Sequence, residues 1–234
     1  MVGTFSDWII ALEQRGFKET ARNLHTKKLQ DYRRLKKSGL PIFDDLIVPY
    51  QQFNGENKRL MDFLARYNNL VVRAIPNTKS LPRRYKIGIH SFEECQDFLA
   101  QVIKGGDEKK YSVLITEHEP TNWAGIIISR PEDVLIEVAK SGLDELSHGS
   151  IIPSAGHFTF HHGNHFRSMG YYNADGSQRG LIWQALQYLR RDTQNDSDVF
   201  PAIDFMGGYF EFVVTEKTGR IKFLDFKVNE AYAK

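Results

Sequence analysis

The chain has 234 residues, 41% of them hydrophobic, and its 31 Lys and Arg against 29 Asp and Glu leave a formal net charge of +2. That is enough apolar material for a substantial core, as one domain of two lobes or as two small domains, and it excludes a wholly disordered chain. The near balance of charge excludes the global field that announces nucleic-acid binding. Cys95 stands alone, which excludes an internal disulfide or a multi-cysteine zinc site. No signal-peptide h-region opens the chain and no run of ~18 apolar residues follows, so the expectation is a soluble, cytoplasmic protein with no membrane partner.

Taken in order, Ser6 is an N-cap for a first amphipathic helix over 6–15 with Trp8, Ile9 and Leu12 as its stripe, ended by Gly16. A second helix is expected over 18–37 and stops at Ser38-Gly39. Its last part, 27–37, is rich in Lys and Arg, yet Leu29, Tyr32 and Leu35 recur at helical spacing. This is a surface helix with a basic face, or one turned toward phosphate. Residues 40–43 and 46–49 read as extended core segments, 56–67 as a third helix, and 70–75 as a short buried strand that carries Arg73 among β-branched residues. The stretch 77–85 reads as a polar loop whose Lys79, Arg83 and Arg84 either handle an anion or are simply solvated.

Ser91-Phe92-Glu93-Glu94 matches a capping box and opens a helix with Phe92, Cys95, Phe98, Leu99 and Val102 inward. Gly105-Gly106 closes it and is taken as the boundary between an N-terminal lobe, 1–105, and a C-terminal lobe, 106–234. Strands follow at 111–116, 125–129 and 134–138, then a hairpin around 157–167, a helix over 181–190, a polar loop over 191–198, and 200–205 leading to a last hairpin over 208–227. The expected class is α+β with two lobes and a cleft between them.

The last hairpin is the chemically informative one. Centring its loop on Thr218 sets Glu211 opposite Asp225 and Val213 opposite Phe223. Like charges opposed on a sheet are destabilising, so such a pair implies a cation, a ligand donor or a raised pKa between them; a slip of register is the alternative. A rival metal site is offered by His157, His161, His162 and His165, of which His157 and His161 share a strand face. With no acidic neighbour in sequence, a surface hairpin is favoured there over a zinc or iron site.

Several of these segments resemble, in order, the motifs of one family. Thr26-Lys27-Lys28 followed by Leu35 to Ile42 is similar to the opening "GGKxxxLxxLxxxGxPVPxGF" of the ATP-binding domain of phosphoenolpyruvate synthase and pyruvate phosphate dikinase. Val71-Val72-Arg73-Ala74 is similar to its "VRSS", residues 113–118 to its adenine-hinge strand, and Gly125 to Ser129 to its "GVxFT". Val134 to Glu145 resembles "xxIExxxGLGE", Gly149 to Pro153 resembles "GSVTPD", and the closing hairpin resembles "xxIEWxxxxGxLYILQxRP". The resemblance implies an ATP-grasp fold in which two lobes clamp ATP. It implies that Lys28 and Arg73 contact phosphates, that Thr116, Glu117 and His118 lie against adenine, that Glu137 binds ribose or adenine, and that Glu211 and Asp225 hold magnesium. Lys227 takes the place of the terminal arginine, and Asp225 stands where the family has glutamine. Asn229 gives Asp225-x-x-x-Asn229, similar to the ending of other ATP-grasp ligases. The family's phosphohistidine and pyruvate-binding domains have no counterpart in the sequence, so a separate phosphohistidine-domain protein is an implied partner.

Three functions follow as expectations. The first is an Mg-ATP-dependent phosphotransferase or ligase acting on an unidentified acceptor, with Lys28, Arg73 and Lys227 stabilising charge at the phosphates. The second is a nucleotide-sensing or interaction module without turnover. The third, against which the charge balance speaks, binds nucleic acid through 27–37.

Overall fold

The computed structural model describes residues 28–78, 81–140, 142–147, 150–161, 165–192 and 203–227. The helix expected over 6–15, the turn at Gly163-Asn164, most of the 191–198 loop and Asn229 lie outside them. Helix α1 (Lys28–Lys37) comes first, then β1 (Asp45–Pro49), α2 (Lys58–Arg66), β2 (Leu70–Pro76), β3 (Arg84–Ile89), α3 (Phe92–Val102) and β4 (Tyr111–Glu117). There follow β5 (Thr121–Ser129), β6 (Asp133–Ala139), the short α4 (Leu143–Ser147), β7 (Ser154–His161) and β8 (His165–Tyr172). Helix α5 (Gly176–Leu189) leads to β9 (Arg190–Asp192), β10 (Ile203–Phe205), β11 (Gly208–Thr215) and β12 (Ile221–Lys227). The fold is α+β, with a four-stranded and a six-stranded antiparallel sheet beside the small β9–β10 pair. Among the described residues no helix is long and apolar enough to cross a membrane.

The chain divides into two compact units, Phe43–Pro120 and the flanking chain up to Ile42 and from Thr121 onward. The boundary expected at Gly105 therefore falls inside the smaller unit. Gly106, at φ +93, shapes the turn after α3, and β4 then enters the interior of the sheet in the order β1-β4-β2-β3. In this unit Asn57 caps α2 by accepting from Leu60 N, and Ser91 caps α3 by accepting from Glu94 N. The Glu94 carboxylate accepts from His90 N at 2.9 Å, so the reciprocal bond of the expected capping box is made one residue early. Leu60, Phe63, Cys95 and Leu99 of the two helices pack on Leu46, Val72, Val113 and Ile115 of the strands.

Strand β3 corrects the sequence reading, which took its beginning for loop. Its four leading residues are exposed, as suits an edge strand defended by Arg84 and Lys86; Tyr85, Ile87 and Ile89 do alternate with Arg84, Lys86 and Gly88, a pattern the sequence reading passed over beside the polar stretch before it.

In the larger unit the strands run β12-β11-β5-β6-β7-β8. Phe226, Phe210, Ile127, Ile136 and Gly156 stand in register across five of them, on the face that receives α5. Gly156 leaves room for that helix, since a Cβ there would lie 2.7 Å from Ile182 Cγ2. Helix α5 begins five residues earlier than the expected 181, because Asp175 and Gln178 form a capping box. The outer edge of β12 is covered by the chain after α1: Phe223 N donates to Pro41 O at 2.8 Å and Lys222 Nζ to Ile42 O at 2.9 Å.

Candidate functional site

The closing hairpin starts at a tight turn. Gly219, at φ +64, takes the left-handed conformation, and Thr215 Oγ1 accepts from Arg220 N at 3.1 Å while bonding Thr218 Oγ1 at 2.6 Å. Beside the turn Val214 pairs with Ile221, Val213 with Lys222, and Phe212 with Phe223. The expected pairing of Val213 with Phe223 is thus one residue out. Between Glu211 and Phe212 the ladder shifts, Leu224 being the extra residue, and from there Glu211 faces Asp225 and Tyr209 faces Lys227. Had the turn's register continued, Asp225 would oppose Phe210 and point to the helix-covered face. The bulge is what returns it to the face of Glu211.

The same row continues inward. Glu211 is opposite Ile126 of β5, which is opposite Glu137 of β6, so Asp225, Glu211 and Glu137 share the sheet face turned away from α5. Asp225 is 1% exposed and Glu137 4%. Carboxylates are rarely left so dry without compensation. Around Asp225 the compensation includes Lys227 Nζ, 3.5 Å from its Oδ2, and the Phe226 N–H, 3.1 Å from its Oδ1. Tyr209 donates its hydroxyl to Glu211 Oε1 at 2.7 Å, and the Lys227 ammonium sits 4.9 Å from the centre of the Tyr209 ring. Burial first, and then the charges of Glu211, Asp225 and Glu137, push the Tyr209 phenol far above its usual range. The phenol therefore stays protonated and holds the Glu211 carboxylate as a donor. Tyr209 was not among the expected site residues; the signal lay in its position two residues before Glu211, on the same strand face.

In the smaller unit Arg73 occupies the middle of β2 and donates through Nη1 to Thr116 Oγ1 at 2.9 Å. Thr116 is 6% exposed. Burial, and then the charge of Arg73, lower the pKa of His118, so its ring is neutral at pH 7. The backbone N–H groups of Glu117 and His118 are taken, by Asp44 O and Asn69 O at 3.0 Å each. Neither donor is left for a base edge, which removes part of the reason for expecting the 116–118 segment to read adenine. Lys28 opens α1. His157, expected to lack an acidic neighbour, has one: Asp133 Oδ2 lies 2.9 Å from its Nε2, and Arg130 forks onto the same carboxylate. The correction comes from pairing across β6 and β7, where Asp133 meets Thr159 and Leu135 meets His157. Among the described residues no three His, Cys, Asp or Glu side chains come together as a metal site.

No family model matches the chain, and no curated protein matches it. Solved structures similar to it include the D-alanine-D-alanine ligase from Coxiella burnetii, at 10% identity over 87% of this chain and 47% of that one, with a TM-score of 0.44. The VanG D-Ala:D-Ser ligase from Enterococcus faecalis is similar at 10% identity over 87% and 52% of the two chains, with a TM-score of 0.44. A Chryseobacterium gregarium RiPP-associated ATP-grasp ligase, in complex with ADP and a leader and core peptide, is similar at 9% identity over 88% and 52%, with a TM-score of 0.42. The chain spans about half the length of these proteins.

Proposed function

We propose that the chain is an ATP-grasp-like protein that binds Mg-ATP and uses it to phosphorylate or activate an acceptor, as a ligase or phosphotransferase. The observation that carries the reading is the dry face of the six-stranded sheet, where Glu211 and Asp225 stand opposed, Tyr209 holds Glu211, Lys227 contacts Asp225, and Glu137 lies two strands along in the same row. Two opposed carboxylates fit a hard cation that completes its shell with phosphate oxygens and water. Magnesium held there would neutralise phosphate charge. Lys227 is placed to share that work, and its contact with Asp225 keeps the ammonium oriented until an anion competes for it. Tyr209 fixes the Glu211 carboxylate. The phosphate roles of Lys28 and Arg73, the base contact of 116–118 and the ribose or adenine contact of Glu137 belong to the same proposal and rest on the family resemblance.

A nucleotide sensor without turnover is the second reading. It is favoured by Ala74, fully buried in the core of the smaller unit where the family motif has a serine hydroxyl. Calorimetry with ATP, with and without magnesium, followed by separation of ADP from AMP, decides between them. The enzyme reading expects magnesium-dependent binding and a product once an acceptor is supplied; the sensor expects binding alone. Combining Glu211→Gln with Asp225→Asn should abolish the magnesium dependence before it abolishes folding, and Arg73→Ala should weaken ATP binding. Wild-type protein that binds no nucleotide under either condition rules out both readings.

A further inference from the structure

Strand β8 stands last in the order of the six-stranded sheet, and among the described residues no backbone group of 167–172 bonds to anything beyond β7. An edge of this kind is a template for another strand. At the opposite edge the chain after α1 already covers β12, and in the four-stranded sheet the edge strand β3 is defended by Arg84 and Lys86. Strand β8 holds no lysine, proline or acidic residue.

Two features bound the length that can pair. Thr159 meets Ser168 whereas Phe160 meets Phe166, which leaves Arg167 as the extra residue of a bulge. At the other end Asn173, at φ +49, turns the chain, and its carbonyl accepts from Ser154 Oγ at 2.6 Å. Between them lies 168–172, centred on Gly170. Met169 is 54% exposed, Tyr172 47%, and Trp183 of α5 44%. Met169 and Tyr171 stand opposite Phe158 and Gly156, on the face that receives α5, where the Phe158 ring lies 6.0 Å from Tyr171 and 6.3 Å from Trp183. An apolar strip therefore runs along the open edge.

We propose that β8 pairs antiparallel with β8 of a second copy of this chain, about a two-fold axis at Gly170. Residues opposed across such an axis share a sheet face, so their numbers sum to an even value, and the centre of 168–172 sets that sum at Gly170 with itself. Met169 then meets Tyr171 of the second copy, and Tyr171 its Met169, on the face of α5; Ser168 meets Tyr172 on the other face. At the axis, where each residue meets itself, stands a residue without a side chain. Charge fits as well. Arg167 is exposed and has no partner among the described residues. The pairing carries it to the end of the second strand, where Asp175 uses only Oδ1 to cap α5. Because β12 is covered, one pairing exhausts the open edge of the sheet and association stops at a dimer.

The test is sedimentation velocity on the full chain over a concentration series, joined to cross-linking. A reversible dimer with a Kd on the order of micromolar is expected, because one strand and a few side chains per copy make a contact smaller than a standard interface. Met169→Lys should weaken it by about tenfold or more, since an apolar contact is lost and two ammonium groups are set diagonally across the axis. Ile87→Lys, at a comparably exposed position on β3, should leave it unchanged. Under oxidation Gly170→Cys should give a disulfide-linked dimer, as directly opposed residues of an antiparallel pair have Cα atoms about 4.5 to 5.5 Å apart, within disulfide span. Ile87→Cys should not, and the native Cys95 is buried. A chain that stays monomeric at every concentration, a dimer that Met169→Lys leaves intact, or linkage through Ile87→Cys in place of Gly170→Cys overturns the proposal. So does hydrogen exchange in which the amides of 168–172 are equally protected at low and high concentration, which would mean that another part of the same chain covers the edge. The thermal midpoint of each variant distinguishes a lost interface from a lost fold.

Discussion

His118 is one histidine among eight, yet it reports on its surroundings through its pKa, lowered first by burial and then by Arg73. The unfolded chain takes up a proton on this side chain near the ordinary value of about 6.5, while the folded chain does not until a lower pH. Between those two points the unfolded state holds more protons, so stability falls as pH falls through that window, and is unaffected by this group at higher pH. Thermal melts of wild type and His118→Gln at pH 7.5 and 5.5 should show a smaller acid loss in the variant; equal losses would mean that the ring is not desolvated. The site residues themselves were unevenly legible. The opposition of Glu211 and Asp225 was reached by centring the loop on Thr218, one residue out of the turn's own register, and it holds because the bulge makes up that residue. Tyr209 was within reach of strand alternation, two residues before Glu211, whereas the Asp133 partner of His157 could be reached only with the cross-strand register in hand.

At the scale of the element, the ladder that carries the carboxylates depends on a close approach between neighbouring strands. The ring of Phe212, itself fully buried, lies over Gly125 of β5, and a Cβ at Gly125 would fall 2.1 Å from Phe212 Cζ. Gly125→Ala must displace that ring within a packed core, at an expected cost of about 1 to 3 kcal/mol. Gly180 is the opposite case. It stands inside α5, exposed, with nothing within 4 Å of an added Cβ, and Gly180→Ala should stabilise by about 0.4 to 1 kcal/mol. Urea unfolding with an unchanged slope checks both, and a neutral Gly125→Ala would show that Phe212 has another place to go. Elements were legible where a local signal dominates, as in α3 with its Ser91 cap. They were hidden in the bulge at Leu224, which no pattern in the hairpin sequence announces, while in β3 the alternation of Tyr85, Ile87 and Ile89 was present and masked by the charged residues between them.

For the molecule as a whole, the sequence was read as two successive halves, whereas the smaller unit is one continuous segment set within the other. Chain order misleads because β4, its last strand, pairs with β1 and β2 in the interior of the sheet, so Gly105-Gly106 marks the end of a helix and not of a unit. Long-range pairing of this kind leaves no trace in local composition. It does predict an independent fold. The buried cluster from Leu46 to Ile115 is drawn wholly from this segment, and both of its longer helices carry their own N-caps, Asn57 and Ser91. A segment of this size buries only about 60% of its unfolded surface, so its stability should lie toward the low end of the roughly 5 to 15 kcal/mol typical of domains. Expressed alone, 43–120 should give a single cooperative urea transition that coincides when followed by far-UV circular dichroism and by the fluorescence of its tyrosines, at a lower midpoint than the full chain. Removal of Leu60 to Ala within the segment should lower that midpoint further, by an amount corresponding to about 2 to 5 kcal/mol, since the side chain is fully buried between helix and sheet. A fragment that retains helical signal but melts without a cooperative transition would show that this core is not sufficient by itself.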